Sequence, residues 1–560
     1  MKTRIPWLVG LLCSHVLAAP PQAVLNAAPN RPDRKLHGRF LHITDIHPDP
    51  YYAKGSSQSS QCHRKKPSHE QRAGYYGSPF SACDSPLTLT NFTFDFLEDR
   101  WSSGIDFVIW TGDNARHDDD DGIPRPVDEI FALNRVVAKK MEDVFLKKGI
   151  PVVPSLGNND VWPHNTLSPG PNDITNEFAS IWNPFIPSGS KSSFRKGAYY
   201  AVEVIPDALA AISLSTMYFY HNNKAVRGCL ASDASDPGNL QFEWLEEQLK
   251  MFRARQMQVW VTGHVPPSVD HFFPECYYRY TELSLRYQDI ILGSLFGHLN
   301  VDHFYFVEAA DLNVSQEGTE LSQNSGSTIF ETVMDDFEAL AKTKDLNYDD
   351  YAVVNVSPSL VPNPYLPTFR VFSYNISGLG SSSVGAVGED EYLLMTKMDR
   401  ASRWKHLPYR HGDDGNDGRQ CMSAAYRESW RCKFHPWRSD SHAPSRQNSL
   451  WSPLGYAQYY MPRLEEYDEK HEPEFKLEYL TFPISSLHPK DNSTEVPVPL
   501  MNLPESLREP GVKKSKFAPY ELQDLTIPSW IDLACKLGKP REKKLRKRFK
   551  KYMYMGGEES

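Results

Sequence analysis

Five short apolar runs, each released into a turn built from glycine or compact polar residues, constrain this chain more than any other feature. "RFLHIT" runs into Asp45, "DFVIWT" into Gly112, "PVVPSL" into Gly157, "QVWVT" into Gly263 and "DIILGSLF" into Gly297. Runs this short and rich in Val, Ile and aromatics read as buried strands. Between the second and the third, Ile130, Leu133, Val137, Met141 and Val144 recur at helical spacing within residues 127–148, and Gly149 follows as a stop. Residues 240–252 repeat the pattern with Leu245 and Leu249. Strand, turn, helix and strand in alternation predict an α/β core. In such sheets chemistry gathers where strands end.

The turns carry a consistent chemistry. "TDIH" supplies Asp45 and His47, two apart, which on an extended chain would share one side. "TGDN" supplies Asp113, "LGNND" Asn158, "TGHVPP" His264, and "FGHLN" both His298 and Asn300. A lone strand-end histidine is usually a packing residue, but five polar exits in order, four beside glycine, form a pattern. Carboxylates, imidazoles and an amide without thiolate suit two divalent ions such as Mg, Mn, Fe, Co or Zn. Asp113, in the middle of the set, is the natural bridging carboxylate. Two ions about 3.5–4 Å apart can share a hydroxide and clamp a phosphoryl group.

This order of blocks resembles the calcineurin-like metallophosphoesterases, whose motifs run D-x-H, G-D, G-N-H-[DE], G-H and G-H-x-H. The resemblance implies a β-sandwich flanked by helices, with an irregular C-terminal extension. It implies that Asp45, His47 and Asp113 hold one ion, and that Asp113, Asn158, His264 and His298 hold the other. Asn300 stands where the family's last histidine would complete the first ion's shell, and an amide oxygen is a weaker ligand. Asp302 and His303 follow closely, as helpers or as strand-end packing. The wider stretches "HITDIHPDPYY", "WTGDNARHD", "SLGNNDVWPHN", "GHVPP", "FGHLNVDHF" and "SPLGYAQYY" are similar to those of fungal vacuolar endopolyphosphatases, relatives of the acid-sphingomyelinase-like phosphodiesterases. The expected activity is metal-dependent hydrolysis of phosphoanhydride bonds within inorganic polyphosphate.

One departure bears on substrate. The family's G-N-H-[DE] histidine is Asn159 here. Cleaving an alkyl phosphoester expels an alkoxide, whose conjugate acid has a pKa near that of water, about 15.7. It must be protonated as it leaves, which is work for a histidine. A phosphate leaving group, with a pKa of about 6, needs no such help, so Asn159 suits anhydrides. His164, five residues on, is the competing candidate, as a replacement acid. Arg116 is expected to contact phosphate oxygens and His117 to orient water or a ligand, unless both pair with the acidic run at residues 118–121. "HRKK", residues 63–66, reads as a substrate-docking patch or a solvated loop. The basic run at residues 543–551 reads as a polyanion-binding, processed or solvated tail.

Composition restricts the remaining classes. The chain is 40% hydrophobic and 23% charged, with a net charge of −9, so no global field draws it to nucleic acid. Lys2 and Arg4 precede an apolar segment shorter than the roughly 20 residues a spanning helix needs. Length alone favours a cleaved signal peptide and a secreted protein. The family resemblance favours instead a type II signal anchor in the vacuolar membrane, with a lumenal catalytic domain. Sequons at Asn91, Asn313, Asn355, Asn375 and Asn492 agree with passage through a secretory lumen. Cys62–Cys83 and Cys421–Cys432 are plausible local bridges. The expected organisation is a targeting segment at 1–19, a linker at 20–37, a catalytic core at 38–380 and a flexible connection at 381–418. An extension at 419–535, for which no fold can be derived, packs on the core, and 536–560 is a basic tail.

Two rivals remain. A sphingomyelinase-like phosphodiesterase would keep the histidine at 159 and carry an apolar lipid-presenting segment. A non-catalytic polyphosphate-binding protein on the same fold would account for Asn159 and Asn300, but not for the six retained ligands. A purple acid phosphatase would need a tyrosine where this chain has Arg116.

Overall fold

The structure, a computed structural model, describes residues 35–65, 71–313, 327–379, 421, 423, 429–434, 440–489 and 496–557. The targeting segment, Cys13, Asn492 and the connection at 381–418 lie outside the described residues. Among the described residues no helix is long and apolar enough to cross a membrane.

The strands are β1 Arg39–Ile43, β2 Pro48–Asp49, β3 Ser85–Pro86, β4 Phe107–Trp110, β5 Val152–Pro154, β6 Tyr200–Ile205 and β7 Leu209–Ser213, continuing with β8 Gln258–Thr262, β9 Ile291–Phe296, β10 His303–Glu308, β11 Tyr351–Val356, β12 Thr368–Tyr374, β13 Pro453–Tyr460 and β14 Lys476–Leu480. They form two six-stranded mixed sheets, ordered β14-β13-β12-β1-β4-β5 and β10-β11-β9-β8-β7-β6. The five expected strands are β1, β4, β5, β8 and β9. β1, β4 and β5 run parallel in the first sheet, and β8 and β9 run parallel in the second. Their carboxyl ends therefore collect in two groups, one per sheet.

The sheets pack face to face through aromatic side chains. Phe40 of β1 stacks on Phe107 at 4.6 Å and on Phe372 at 4.9 Å within its own sheet, and meets Trp260 of β8 edge-on at 5.2 Å across the interface. Near the site the interface turns polar: the Ser155 and Ser213 hydroxyls lie 2.9 Å apart. Helices cover the outer faces. The helix Val127–Val144 buries the five residues whose spacing predicts it, and Gly149 ends the following turn at φ 78°. The helix Pro237–Ala254 starts three residues earlier than its apolar pattern, because Asp236 caps it and Pro237 opens it. Leu240, the first residue of the expected pattern, is exposed, whereas Leu245 and Leu249 are buried.

Two findings change the domain picture, and a third removes one glycan site. β13 and β14 come from the stretch assigned to an extension, yet they pair onto β12 and complete the first sheet. The tail is a helix, Lys543–Met553, with Phe549, Tyr552 and Met553 buried against the core. Asn355 is 4% exposed within β11, so the folded protein offers no glycan acceptor there. Asn91 is exposed and Asn375 half-buried.

Disulfides join Cys62–Cys83, Cys229–Cys276 and Cys421–Cys432, leaving Cys535 as a thiol. The middle pair escapes the sequence because its partners lie 47 residues apart.

Candidate metal centre

The exits of β1 and β4 are stapled backbone to backbone. Asp45 N–H donates to the Gly112 carbonyl at 3.0 Å, and the N–H groups of Ile46 and His47 donate to the Asp113 carbonyl at 3.0 and 3.2 Å. Asp45 and His47 therefore do not lie on an extended chain. Both take left-handed φ, 50° and 41°, as do Asp113, His298 and Asn300. Non-glycine residues in that region cost energy, and such strain concentrates at functional sites. Two glycines make room for the carboxylates. A Cβ on Gly157 would sit 2.0 Å from Asp113 Oδ1, and one on Gly297 would sit 2.5 Å from Asp45 Oδ2.

These turns bring the expected ligands together. Asp45, His47 and Asp113 form one cluster, and Asp113, His264 and His298 form another, each with its ligand atoms within 4.8 Å of one another. Asp113 belongs to both. Its Oδ2 lies 3.5 Å from His47 Nε2 and 3.2 Å from His264 Nε2. Asn158 joins the second cluster, its Oδ1 lying 2.8 Å from both His264 Nε2 and His298 Nδ1. The rings are aimed by the backbone: His47 Nδ1 binds the Ala115 carbonyl and His264 Nδ1 the Thr111 carbonyl, both at 2.7 Å. Each ring thereby turns its Nε2 toward the cluster, as a metal-ligating histidine requires.

The residues fit a pair of cations. Burial alone would raise the Asp113 carboxyl, but His264, His47 and the Asn159 amide outweigh it and hold it well below the carboxylate range. Burial alone would lower His264, but Asp113 and Asp45 push it up to about 9. The buried carboxylates thus draw positive charge, which metal ions supply more fully than a proton. Asn300 adds an independent sign: its Nδ2 donates to the Asn363 carbonyl at 2.9 Å, while its buried Oδ1 has no partner among the described residues. A buried orphan acceptor is costly unless something occupies it, and a cation would.

Around the clusters the assignments divide. Asn159 turns inward, its backbone N–H donating to Asp113 Oδ1 and its amide to Asp113 Oδ2, both at 2.8 Å. His164 sits between Asp118, 3.1 Å from its Nδ1, and the Asn158 amide nitrogen, 3.1 Å from its Nε2. His117 stacks on the His47 ring at 4.1 Å and is held by Asp84 at 2.7 Å. His47, Asp84 and His117 make a third close group.

Arg116 does not face the clusters. It is 1% exposed, paired with Glu129 at 2.6 Å and bonded to the carbonyls of His117, Ile123 and Pro124. The guanidinium behind the site is Arg125, which donates to the Asn159 carbonyl at 3.0 Å. Asp302 is likewise committed elsewhere, to Arg370, Gln458 and Tyr479 between the sheets, and His303 bonds the Val301 carbonyl. In the patch at 63–66, His63 and Arg64 are engaged within the fold, and Lys65 is exposed. His63 is clamped between Asp49 at 2.8 Å and Asp120 at 2.7 Å, and Arg64 also binds Asp120, while Lys66 lies outside the described residues.

Some contributors gave little or no sign in sequence. Asp160 receives the backbone N–H groups of Asp113, Asn114 and Gly157 and the Asn134 amide, tying the β4 and β5 exits together. It is the last letter of the "GNND" block, so its position was visible though its role was not. Asp84 and Arg125 carry no local motif, and Asp118 closes the "WTGDNARHD" stretch without showing its role.

Residues 38–302 match a family model described as calcineurin-like phosphoesterase. An endopolyphosphatase of Cryptococcus neoformans is 39% identical over 632 residues, covering 94% of this chain and 92% of that protein. An endopolyphosphatase of Schizosaccharomyces pombe is 31% identical over 533 residues, covering 92% of this chain and 85% of its own length. One from Saccharomyces cerevisiae is 35% identical over 433 residues, 64% of each chain.

Proposed function

Because this chain belongs to the endopolyphosphatase family of calcineurin-like phosphoesterases, we propose that it hydrolyses phosphoanhydride bonds within inorganic polyphosphate to give shorter chains. The observation that carries the reading is the sharing of Asp113 by two ligand clusters at the carboxyl ends of β1, β4, β8 and β9.

Asp45, His47 and Asp113, with the orphan oxygen of Asn300, would hold one divalent ion, and Asp113, Asn158, His264 and His298 the other. When bound, such a pair supplies an activated water and a Lewis-acid grip on phosphoryl oxygens. The donor set suits Mn, Mg, Co, Zn or Fe. Asn159 holds both oxygens of the bridging carboxylate in place. His117 offers positive charge beside the first cluster: burial would lower its pKa, but the Asp84 carboxylate pushes it up to about 9. It is suited to hold a phosphoryl oxygen of the substrate. His164 receives the Asn158 N–H, which fixes the amide so that its oxygen faces His264 and His298. It therefore acts as a positioning residue for a ligand rather than as a substitute acid. Since no acid stands at 159, a leaving group that departs as an anion is preferred.

Residues 1–19 are read as a signal anchor, which would hold a lumenal catalytic domain at the vacuolar membrane. Three disulfides support an oxidising compartment, and Asn91 and Asn375 remain accessible as glycan acceptors. Retention in the membrane pellet after alkaline carbonate extraction checks the anchor; release into the supernatant means cleavage.

The deciding experiment is incubation of the purified protein with long-chain polyphosphate, with and without a chelator, followed by sizing of the products. Metal-dependent appearance of intermediate lengths supports internal cutting. Steady release of phosphate alone would make it an end-trimming enzyme, and no shortening would retire the reading.

A further inference from the structure

The C-terminal helix Lys543–Met553 carries seven cations in the nine residues 543–551 and no acid. The rest of the chain is acidic on balance, since the whole has a net charge of −9. Helical spacing gathers Lys543, Arg546, Lys547 and Lys550 on one face. That face lines an open groove of about 710 Å³, walled by Phe330 and Pro540 and by Gly556–Gly557. Among the described residues, Lys543, Arg546 and Lys547 make no ion pair; Arg546 lies within electrostatic reach of Glu338 without bonding it. Lys550 Nζ lies over the Phe330 ring at 4.9 Å.

The groove is anchored beside the metal centre. Asp302 N–H donates to the Met553 carbonyl at 3.3 Å, and Asp302 is two residues past Asn300. Two residues span at most about 7 Å, and Lys550 is about 4.5 Å along the helix from Met553. The basic face therefore ends within about 15 Å of the turn that carries the last ligand. A membrane surface is the less fitting occupant. An interfacial helix inserts its apolar face, whereas here Phe549 packs on Phe304 and Phe337, and Tyr552 on Tyr479.

We infer that this groove is a second binding site for an inorganic polyphosphate chain, holding the polyanion beside the metal centre while a distant bond is cut. The inference rests on the polyphosphate reading above. Its chemistry is that of any polyanion on a row of cations: phosphate oxygens displace counterions, and affinity falls with salt.

The test is the triple variant Lys543→Gln/Arg546→Gln/Lys547→Gln, beside the charge-keeping variant Lys543→Arg/Lys547→Arg. It spares Lys550 and Lys551, which touch Phe330 and face Glu478. On long-chain polyphosphate the triple variant should raise KM about tenfold and lose about one unit of salt slope per cation removed. Its kcat, its activity on tripolyphosphate and its melting temperature should hold, and the arginine variant should behave as wild type. Unchanged long-chain KM and salt slope in the triple variant would overturn the proposal. So would an equal loss on tripolyphosphate, or lost binding to anionic phosphatidylserine vesicles with polyphosphate affinity kept. If the wild type cuts no polyphosphate, direct binding of the long chain to wild type and variant still reads the groove, separating its failure from that of the function.

Discussion

Asn158 is held from both ends of its amide, with the oxygen toward His264 and His298 and the nitrogen toward His164 and Asn165. Removing His164 should therefore act on metal retention. Outer-shell losses of this kind cost about 10- to 100-fold in metal affinity. His164→Ala should show that loss by calorimetric metal titration and regain activity at saturating metal; a kcat deficit that excess metal does not repair would make His164 an acid instead. Asn159→His tests the leaving group. A positioned acid contributes at least about 100-fold, so the ratio of alkyl-phosphodiester to polyphosphate hydrolysis should rise by about that factor, while loss of the amide's hold on Asp113 Oδ2 lowers both rates together. An unchanged ratio of the two activities would end the leaving-group argument. The residues legible in sequence were those whose backbone position fixes their direction: each ligand follows a buried strand, and all but Asp45 and His47 sit in a turn that carries a glycine. Arg116 misled because adjacency to Asp113 says nothing about where a long side chain goes. Asp84 and Arg125 were invisible because only the tertiary fold brings them near.

Strands buried on both faces announce themselves as continuous apolar runs, which is why β1, β4, β5, β8 and β9 could be read directly. β13 and β14 could not, because they are written "PLGYAQYY" and "KLEYL" and pack a polar layer against β12. Arg370 of β12 bonds Gln458 of β13 at 2.8 Å, and Gln458 reaches Glu478 of β14 at 2.8 Å. Buried polar contacts of this kind erase the hydrophobic alternation that marks a strand. The boundary expected near residue 419 consequently cuts through one sheet. A chain truncated after residue 448 should expose the β12 edge, and an unpaired central strand templates aggregation. It should elute as soluble aggregate or be insoluble, whereas a monodisperse, metal-binding product would show that β13 and β14 are dispensable. Phe40→Ala, which empties the aromatic contact between the sheets, should cost about 3–5 kcal/mol in chemical denaturation.

Across the whole molecule, buried carboxylates set how stability depends on pH. Burial pushes Glu478 up to about 8, with Asp302 adding to the rise and Gln458, Lys551 and Arg370 opposing it. Burial likewise raises Glu308 to about 8 and Glu282 to about 7. An unfolded glutamate titrates near 4.3. Between that value and about 8 the folded chain holds protons that the unfolded chain has lost, so stability falls as pH rises through this window. For Glu478 the slope reaches about 1.4 kcal/mol per pH unit. Glu246 works the other way: burial would raise it, but Arg286, Arg279 and Lys250 lower it to about 2, so its contribution disappears as pH falls below about 4. His271 and His303, both lowered to about 4 by burial, add to the loss of stability as pH falls below about 6.5, and maximum stability lies between the two limbs, on the acid side of neutrality. Melting temperatures taken at saturating metal should be higher near pH 5 than near pH 8. Glu478→Gln, which fixes the neutral form and keeps the Gln458 contact, should flatten the alkaline limb and leave the acid limb in place. A melting temperature that climbs steadily to pH 8 in the wild type would mean that these carboxyls ionise in the fold, and that the polar layer between β12, β13 and β14 tolerates a buried charge.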